Sequence, residues 1–170
     1  MRGLATIAAL VCCAGIVSEA RAQITATDLQ VAARALSFVE NPLSGTVRVG
    51  IVYTAGNSRS MQQAEALRAL LGNGLRAGNL ELKPVMVKAE EASTADVELF
   101  FLTEQGASHG AVQNAKKIPC VTTDIEQVRS GACLMGVRSR PKVEILVNRE
   151  VAAATGVTFA TVFRVMITEI

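Results

Sequence analysis

The 170-residue chain has no tryptophan, one tyrosine and five phenylalanines, so aromatics make up only 4 % of it. So few rings cannot build the stacking platforms that hold single-stranded nucleic acid. Charge of one sign is also scarce: Lys and Arg number 17 against 15 Asp and Glu. That balance gives no field to steer nucleic acid or an anionic membrane surface, and no basic run supplies one locally. Nucleic acid is therefore not an expected partner. Histidine occurs once, at His109, and reads as a solvated residue. No hydroxyl or thiol nucleophile has an evident histidine partner, no acid–base carboxylate pair is specified, and no His/Cys set has zinc spacing. The carboxylates of Glu90, Glu91 and Asp96 fall together only in a loop. No GxxxxGK[ST] phosphate loop occurs, and no GxGxxG follows the first strand. The expectation is a protein that is not an enzyme and carries no metal or cofactor.

What is present begins with an export signal. Arg2 gives a positive start, Leu4 to Val17 is an apolar, small-residue run, and Ala20-Arg21-Ala22 offers an A-x-A cleavage pattern. The run is too short for a membrane span, and no second apolar stretch follows it. Neither Cys12 nor Cys13 follows the small residue that a lipoprotein signal needs. Residues 1–22 thus read as a signal peptide and residues 23–170 as one periplasmic domain. About half the chain is apolar, enough for a core without metals or many disulfides. Cleavage removes Cys12 and Cys13 and leaves Cys120 and Cys133. In an oxidising compartment these form either a disulfide or two buried thiols, and the residues alone leave both open.

Along that domain, strand and helix signals alternate. Thr27-x-x-Gln30 reads as a capping box opening a helix whose stripe is Leu29, Ala32, Ala33 and Leu36. Thr46 to Tyr53 reads as a strand. Ser60-x-x-Gln63 reads as a second capping box, before a helix that carries Met61, Ala64, Leu67 and Leu71 and ends at Gly72, Gly74 and Gly78. Leu80 to Lys88 reads as a strand, with Pro84 pointing to an edge. Val97 to Thr103 (VELFFLT) is almost continuously apolar, as a strand covered on both faces must be. A helix over Ala107 to Lys117, a strand at Pro119 to Thr122 and a short helix capped by Asp124 follow. Ala132 to Arg138 and Lys142 to Asn148 are joined too tightly for a parallel crossover, so they pair antiparallel. Arg149 to Thr155 is a short helix stopped by Gly156. Thr158 opens a last helix with Phe159, Val162, Phe163, Met166 and Ile170 on one face. The implied fold is α/β: a single three-layer domain with a mostly parallel five- to six-stranded sheet. Its order is near 2-1-3-4-5, with an antiparallel edge strand and helices on both faces.

Ligands of open α/β sheets bind beyond the carboxyl ends of the strands. That rule selects Thr54 to Ser60, Thr103 to Gly106 and Thr122 to Asp124. It nominates Asn57, Ser58, Ser60, Thr103 and Thr122 as ligand-binding residues, with Asp124 a helix cap. Phe159, Phe163 and Met166 are the candidate interaction surface wherever the core does not consume them.

Two resemblances sharpen this reading. VRVGIVYTAGNSRSMQQAEALRALL (Val47 to Leu71) and KKIPCVTTDIEQVRSGACLMGV (Lys116 to Val137) resemble the first lobe of ABC-transporter substrate-binding proteins. There a strand and polar turn lead into a helix, and an IPVF-type strand precedes a short helix. VEILVNREVAAATGVTFATVFRVM (Val143 to Met166) and ALSFVENP (Ala35 to Pro42) resemble the periplasmic YfiR-type family, although Asn41 stands where that family has tryptophan. The YfiR-type resemblance implies a regulatory protein working by protein–protein contact, often as a homodimer. It would restrain a membrane-bound diguanylate cyclase in cyclic-di-GMP signalling, with Cys120 and Cys133 as a redox-sensitive bridge. The other resemblance implies the alternative, a small-molecule-binding module related to one substrate-binding lobe. A complete two-lobed protein of that kind needs more chain than is present.

Overall fold

The computed structural model describes residues 24–104 and 117–170. The sheet is organised around β1 (Gly45–Tyr53), where Val47, Val49, Ile51 and Val52 are at most 2 % exposed. Apolar residues at successive positions bury both faces of a strand, which requires cover on both sides. The VELFFLT segment behaves the same way: β4 (Leu99–Leu102) is buried throughout. β1 lies between β4 and β3 (Leu80–Lys88), parallel to both. β5 (Cys120–Thr122) and β6 (Met135–Arg138) extend the parallel run, and β7 (Glu144–Val147) returns antiparallel to β6. The expected 2-1-3-4-5 order and the antiparallel pair are therefore both present.

Among the described residues two short strands bring the sheet to eight, in the order β2-β3-β1-β4-β5-β6-β7-β8. β2 (Leu75–Ala77) turns through Gly78 and Asn79 onto the start of β3, with Gly78 at φ 63°. A two-residue hairpin of this kind needs a positive φ in its turn, which glycine supplies without steric cost. β2 covers β3 only as far as Leu82. Pro84 therefore lies on the exposed rim of β3, as a proline in a strand requires. At the other side, β8 (Thr168–Glu169) pairs parallel with β7, so β7 is not the sheet edge.

Helices cover both faces. α2 (Ser58–Leu71) buries Ala64, Leu67 and Leu71 against β1 and β3. α3 (Ile125–Arg129) lies on the opposite face, directly over Gly136: a Cβ there would sit 2.8 Å from Ile125 Cδ1 and 2.9 Å from Val128 Cγ2. α1 (Ala26–Leu36) buries the expected Leu29, Ala32, Ala33 and Leu36. Cys120 and Cys133, both buried, are joined as a disulfide with Cα atoms 5.3 Å apart, which settles the alternative left open above. No helix among the described residues is long and apolar enough to cross a membrane. Residues 1–22, expected to be a signal peptide, the helix expected from Ala107 and His109 lie outside the described residues.

Three local expectations are corrected. The first capping box is Thr25 with Asp28, two residues upstream of Thr27: Thr25 N donates to Asp28 Oδ2 at 2.8 Å and Asp28 N to Thr25 Oγ1 at 3.3 Å. Aspartate closes the box as glutamate or glutamine would. The second helix is capped by Asn57, whose Oδ1 accepts from Ser60 N at 3.0 Å. Ser60 is thereby drawn inside the first turn, where it is fully buried. The long final helix is not formed. After α4 (Arg149–Thr155), closed by Gly156 at φ 71°, only α5 (Thr161–Arg164) is helical before the chain enters β8. The segment is rich in β-branched residues (Val157, Thr158, Thr161, Val162, Val165, Ile167, Thr168), which disfavour helix. The unpaired edge of β7 offers their backbone a partner instead.

Candidate functional site

The carboxyl ends of β1, β4 and β5 lie side by side, and short polar side chains tie them together. Thr54 N donates to Ser60 Oγ at 3.0 Å, and Ser60 Oγ lies 2.8 Å from Thr103 Oγ1. Thr103 Oγ1 donates to Val52 O at 2.9 Å. Its single proton is thus committed, and Ser60 must be the donor of the bond between the two hydroxyls. One buried chain of bonds therefore fixes the β1–α2 turn to the end of β4. A second links β4 to β5: Gln127 Nε2 donates to Thr103 O at 2.8 Å while Thr122 Oγ1 donates to Gln127 Oε1 at 2.8 Å. Asp124 N in turn donates to Thr122 Oγ1 at 3.0 Å, and Asp124 caps α3 as expected, its Oδ1 accepting from Glu126 N. Buried polar groups that are fully bonded in this way rigidify a site.

Beside this platform, between α2 and the strand ends, is a cleft of about 250 Å³. Its apolar lining comes from Ile24, Ala66, Leu67 and Phe101, its polar lining from Gln62, Gln63, Thr103 and Thr123. Among the described residues two charged ones border it, Arg59 and Glu104. Arg59 Nη2 donates to Glu104 Oε2 at 3.0 Å, with the side chains 40 % and 20 % exposed. Glu104 N donates to Gln63 Oε1 at 2.8 Å, so α2 holds the second residue after β4 by both its backbone and its side chain. The cleft can thus offer a guanidinium, a carboxylate, amide groups and an apolar wall to one small molecule. The described residues that line it include no nucleophile–base pair. Among the described residues no group of three or more His, Cys, Asp or Glu could hold a metal ion.

Of the residues nominated from sequence, Ser60, Thr103 and Thr122 are buried and bonded within the protein, and Thr103 alone lines the cleft. Asn57 caps α2 and Ser58 is exposed on its first turn. Sequence reasoning missed Arg59, Gln63, Glu104 and Gln127. Arg59 and Glu104 lay inside the loops that the strand-end rule selects. The signal passed over was their opposite charge on two loops that the topology makes neighbours. In the C-terminal segment, Phe159 and Phe163 are buried. Phe163 stacks on Phe38 with ring centroids 4.7 Å apart, and Val39 bridges Phe159. Of the three candidate surface residues only Met166 is exposed, together with Val162 and Val165.

The strongest ion cluster lies at the opposite end of β1. Arg48 pairs with both Glu98 and Asp96, and Arg48 N donates to Glu98 Oε2 at 2.7 Å. The hydrogen bonds to Glu98 and Asp96 push the Arg48 guanidinium further up, and bonds from Arg48 hold both carboxyls below their ordinary values. This clamp joins β1 to the residues leading into β4 and does not border the cleft.

The fold is a mixed α/β domain with a cleft at the carboxyl ends of its parallel strands. No family model matches the chain, the YfiR-type resemblance included, and no curated protein matches it. Solved structures do share the fold. One is a conserved domain protein from Vibrio cholerae O1 biovar eltor, with TM-score 0.57 and 13 % identity over 85 % of this chain and 59 % of that one. Another is the ABC domain in complex with L-Trp from Streptococcus pneumonia, with TM-score 0.57 and 13 % identity over 84 % of this chain and 60 % of that one. The chain thus spans about three fifths of the length of each. At this identity the likeness is one of fold.

Proposed function

We propose that this chain is an exported, non-enzymatic module that binds a small organic molecule at the carboxyl ends of its parallel strands. The observation that carries the reading is the cleft of about 250 Å³ beside Thr103, apolar on one side and bordered by Arg59 and Glu104 on the other. It lies where the topology of an open α/β sheet leaves a crevice, and the bonded platform beneath it is preorganised. The Streptococcus pneumonia domain of the same fold is in complex with L-Trp, which supports a small organic ligand here. The disulfide between Cys120 and Cys133 suits an oxidising compartment, and with the Ala20-Arg21-Ala22 pattern supports export to the periplasm.

The test is a thermal-shift screen of the exported protein against amino acids, sugars, organic acids and short peptides. A ligand at a hundred times its Kd stabilises the native state by about 2.7 kcal/mol, which raises the midpoint by roughly 5–10 °C in a domain of this size. No shift with any class would overturn the proposal. A second reading, an exported regulator that restrains a membrane-bound diguanylate cyclase, draws on one observation: Val162, Val165 and Met166 are 67 %, 82 % and 61 % exposed within one short segment. Cross-linking in cells that contain such a cyclase tests it, and Val165→Asp should abolish the adduct.

A further inference from the structure

We infer that the cleft selects a free α-amino acid with an apolar side chain, held as a zwitterion between Arg59 and Glu104. The inference rests on the proposed reading of the cleft as a binding site and names the ligand class it takes. The described residues that line the cleft include one cation and one anion, and the two are adjacent, Arg59 Nη2 to Glu104 Oε2 at 3.0 Å. A ligand of single charge would satisfy one of them and strand the other. A zwitterion satisfies both, its carboxylate taken by the guanidinium and its ammonium by the Glu104 carboxylate, so no partly buried charge is left alone. Arg59 makes its bond to Glu104 through Nη2 alone among the described residues. The second Nη2–H, paired with Nε–H or with Nη1–H, is therefore left to grip a carboxylate in the forked geometry that guanidinium prefers.

The rest of the cleft fits the same molecule. Leu67, Ala66, Phe101 and Ile24 supply an apolar wall next to the charged pair, which is where the side chain of an amino acid would lie once its α-carbon substituents were anchored. A volume of about 250 Å³ is at or below the small end for ligand sites. It suits one amino acid and excludes an extended peptide. Gln63 is a positioning residue: by accepting from Glu104 N at 2.8 Å it holds the carboxylate-bearing residue against α2.

The experiment is calorimetric titration of the full exported chain with L-leucine and L-phenylalanine, with their amides, which lack the carboxylate, and with their N-acetyl forms, which lack the ammonium. Glucose and succinate serve as unrelated probes. The expected result is binding of the free amino acids and at least tenfold weaker binding of both derivatives. Arg59→Gln should remove the discrimination against the amides, and Glu104→Gln the discrimination against the N-acetyl forms. Arg59→Lys should retain part of it. Both side chains are partly solvent-exposed, and circular dichroism melts are the check that the variants fold. Amides or N-acetyl forms binding within threefold of the free amino acid would overturn the inference. Glucose or succinate binding in place of amino acids, and lost in Arg59→Gln, would overturn the ligand class while leaving the cleft a binding site. Absence of binding by every probe, here and in the wider screen, would overturn both.

Discussion

Replacing Thr103 by valine tests whether the hydroxyl chain at the strand ends holds the site together. The substitution keeps the side-chain shape and removes one hydroxyl that is 4 % exposed. Two bonds go with it: the donation to Val52 O at 2.9 Å and the acceptance from Ser60 Oγ at 2.8 Å. Val52 O keeps a weaker partner, Thr103 N at 3.3 Å, so its loss is partial. Ser60 is 0 % exposed, so its O–H is left facing a methyl group, and an unsatisfied buried donor costs about 1–3 kcal/mol. Adding the weakened bond to Val52 gives an expected loss of about 2–3 kcal/mol, or roughly 5–10 °C in the midpoint. Urea unfolding followed by circular dichroism reads it directly. Ser60→Ala and the double variant complete a cycle, and residues in direct contact should couple by on the order of 1 kcal/mol. If Thr103→Val loses less than about 0.5 kcal/mol, or the two changes are additive, the hydroxyl chain does not hold β1 to β4 and the platform argument fails.

Further outcomes are expected elsewhere in the domain. Replacing Cys120 and Cys133 together by alanine should cost about 3 kcal/mol, since the bridge closes a loop with a sequence separation of 13; a denaturation midpoint unchanged by reduction would contradict this. Gly50→Ala would place a Cβ 2.8 Å from Phe100 Cδ1 and 3.1 Å from Val97 Cγ2. The Phe100 ring is fully buried and cannot swing away, so overpacking should cost about 1–3 kcal/mol by denaturant titration. Burial works against ionisation of Asp28, but hydrogen bonds from Ser139 and Thr25 outweigh it and hold the carboxyl below its ordinary value. A depressed folded-state pKa gives stability that is present above the unfolded value, near 4, and is lost as pH falls through the folded value. Asp28→Asn should therefore lose stability at pH 7 and show a shallower acid limb, and carbon-detected NMR titration of Asp28 checks the shift itself.

Much of the fold is legible because it depends on patterns a few residues long. Val49 to Tyr53 and Leu99 to Leu102 carry no charged or strongly polar residue at successive positions, as a strand covered on both faces requires. The tight Ser139-Arg140-Pro141 connection permits only an antiparallel return, which β6 and β7 make. Asp124 and Gly156 mark helix ends through their own side chain or conformational freedom. The hairpin of β2 was legible in principle from Gly78-Asn79, yet three residues carry too little period to announce a strand. The C-terminal segment was not: Phe159, Val162, Phe163 and Met166 have helical spacing, and what decides against helix is the free edge of β7, a partner more than ten residues away in sequence.

The sequence by itself determined the layered α/β architecture, the order of the central strands and the three loops where a ligand could sit, because burial on both faces and chain connectivity are written locally. Only the tertiary structure decided which side chains reach the cleft. Ser60 and Thr103 are consumed by each other once the strand ends are aligned, whereas Arg59 and Glu104, 45 residues apart, become one charged pair. That pairing depends on β4 lying next to β1 and on α2 crossing above them, a relation between distant segments that no local pattern encodes.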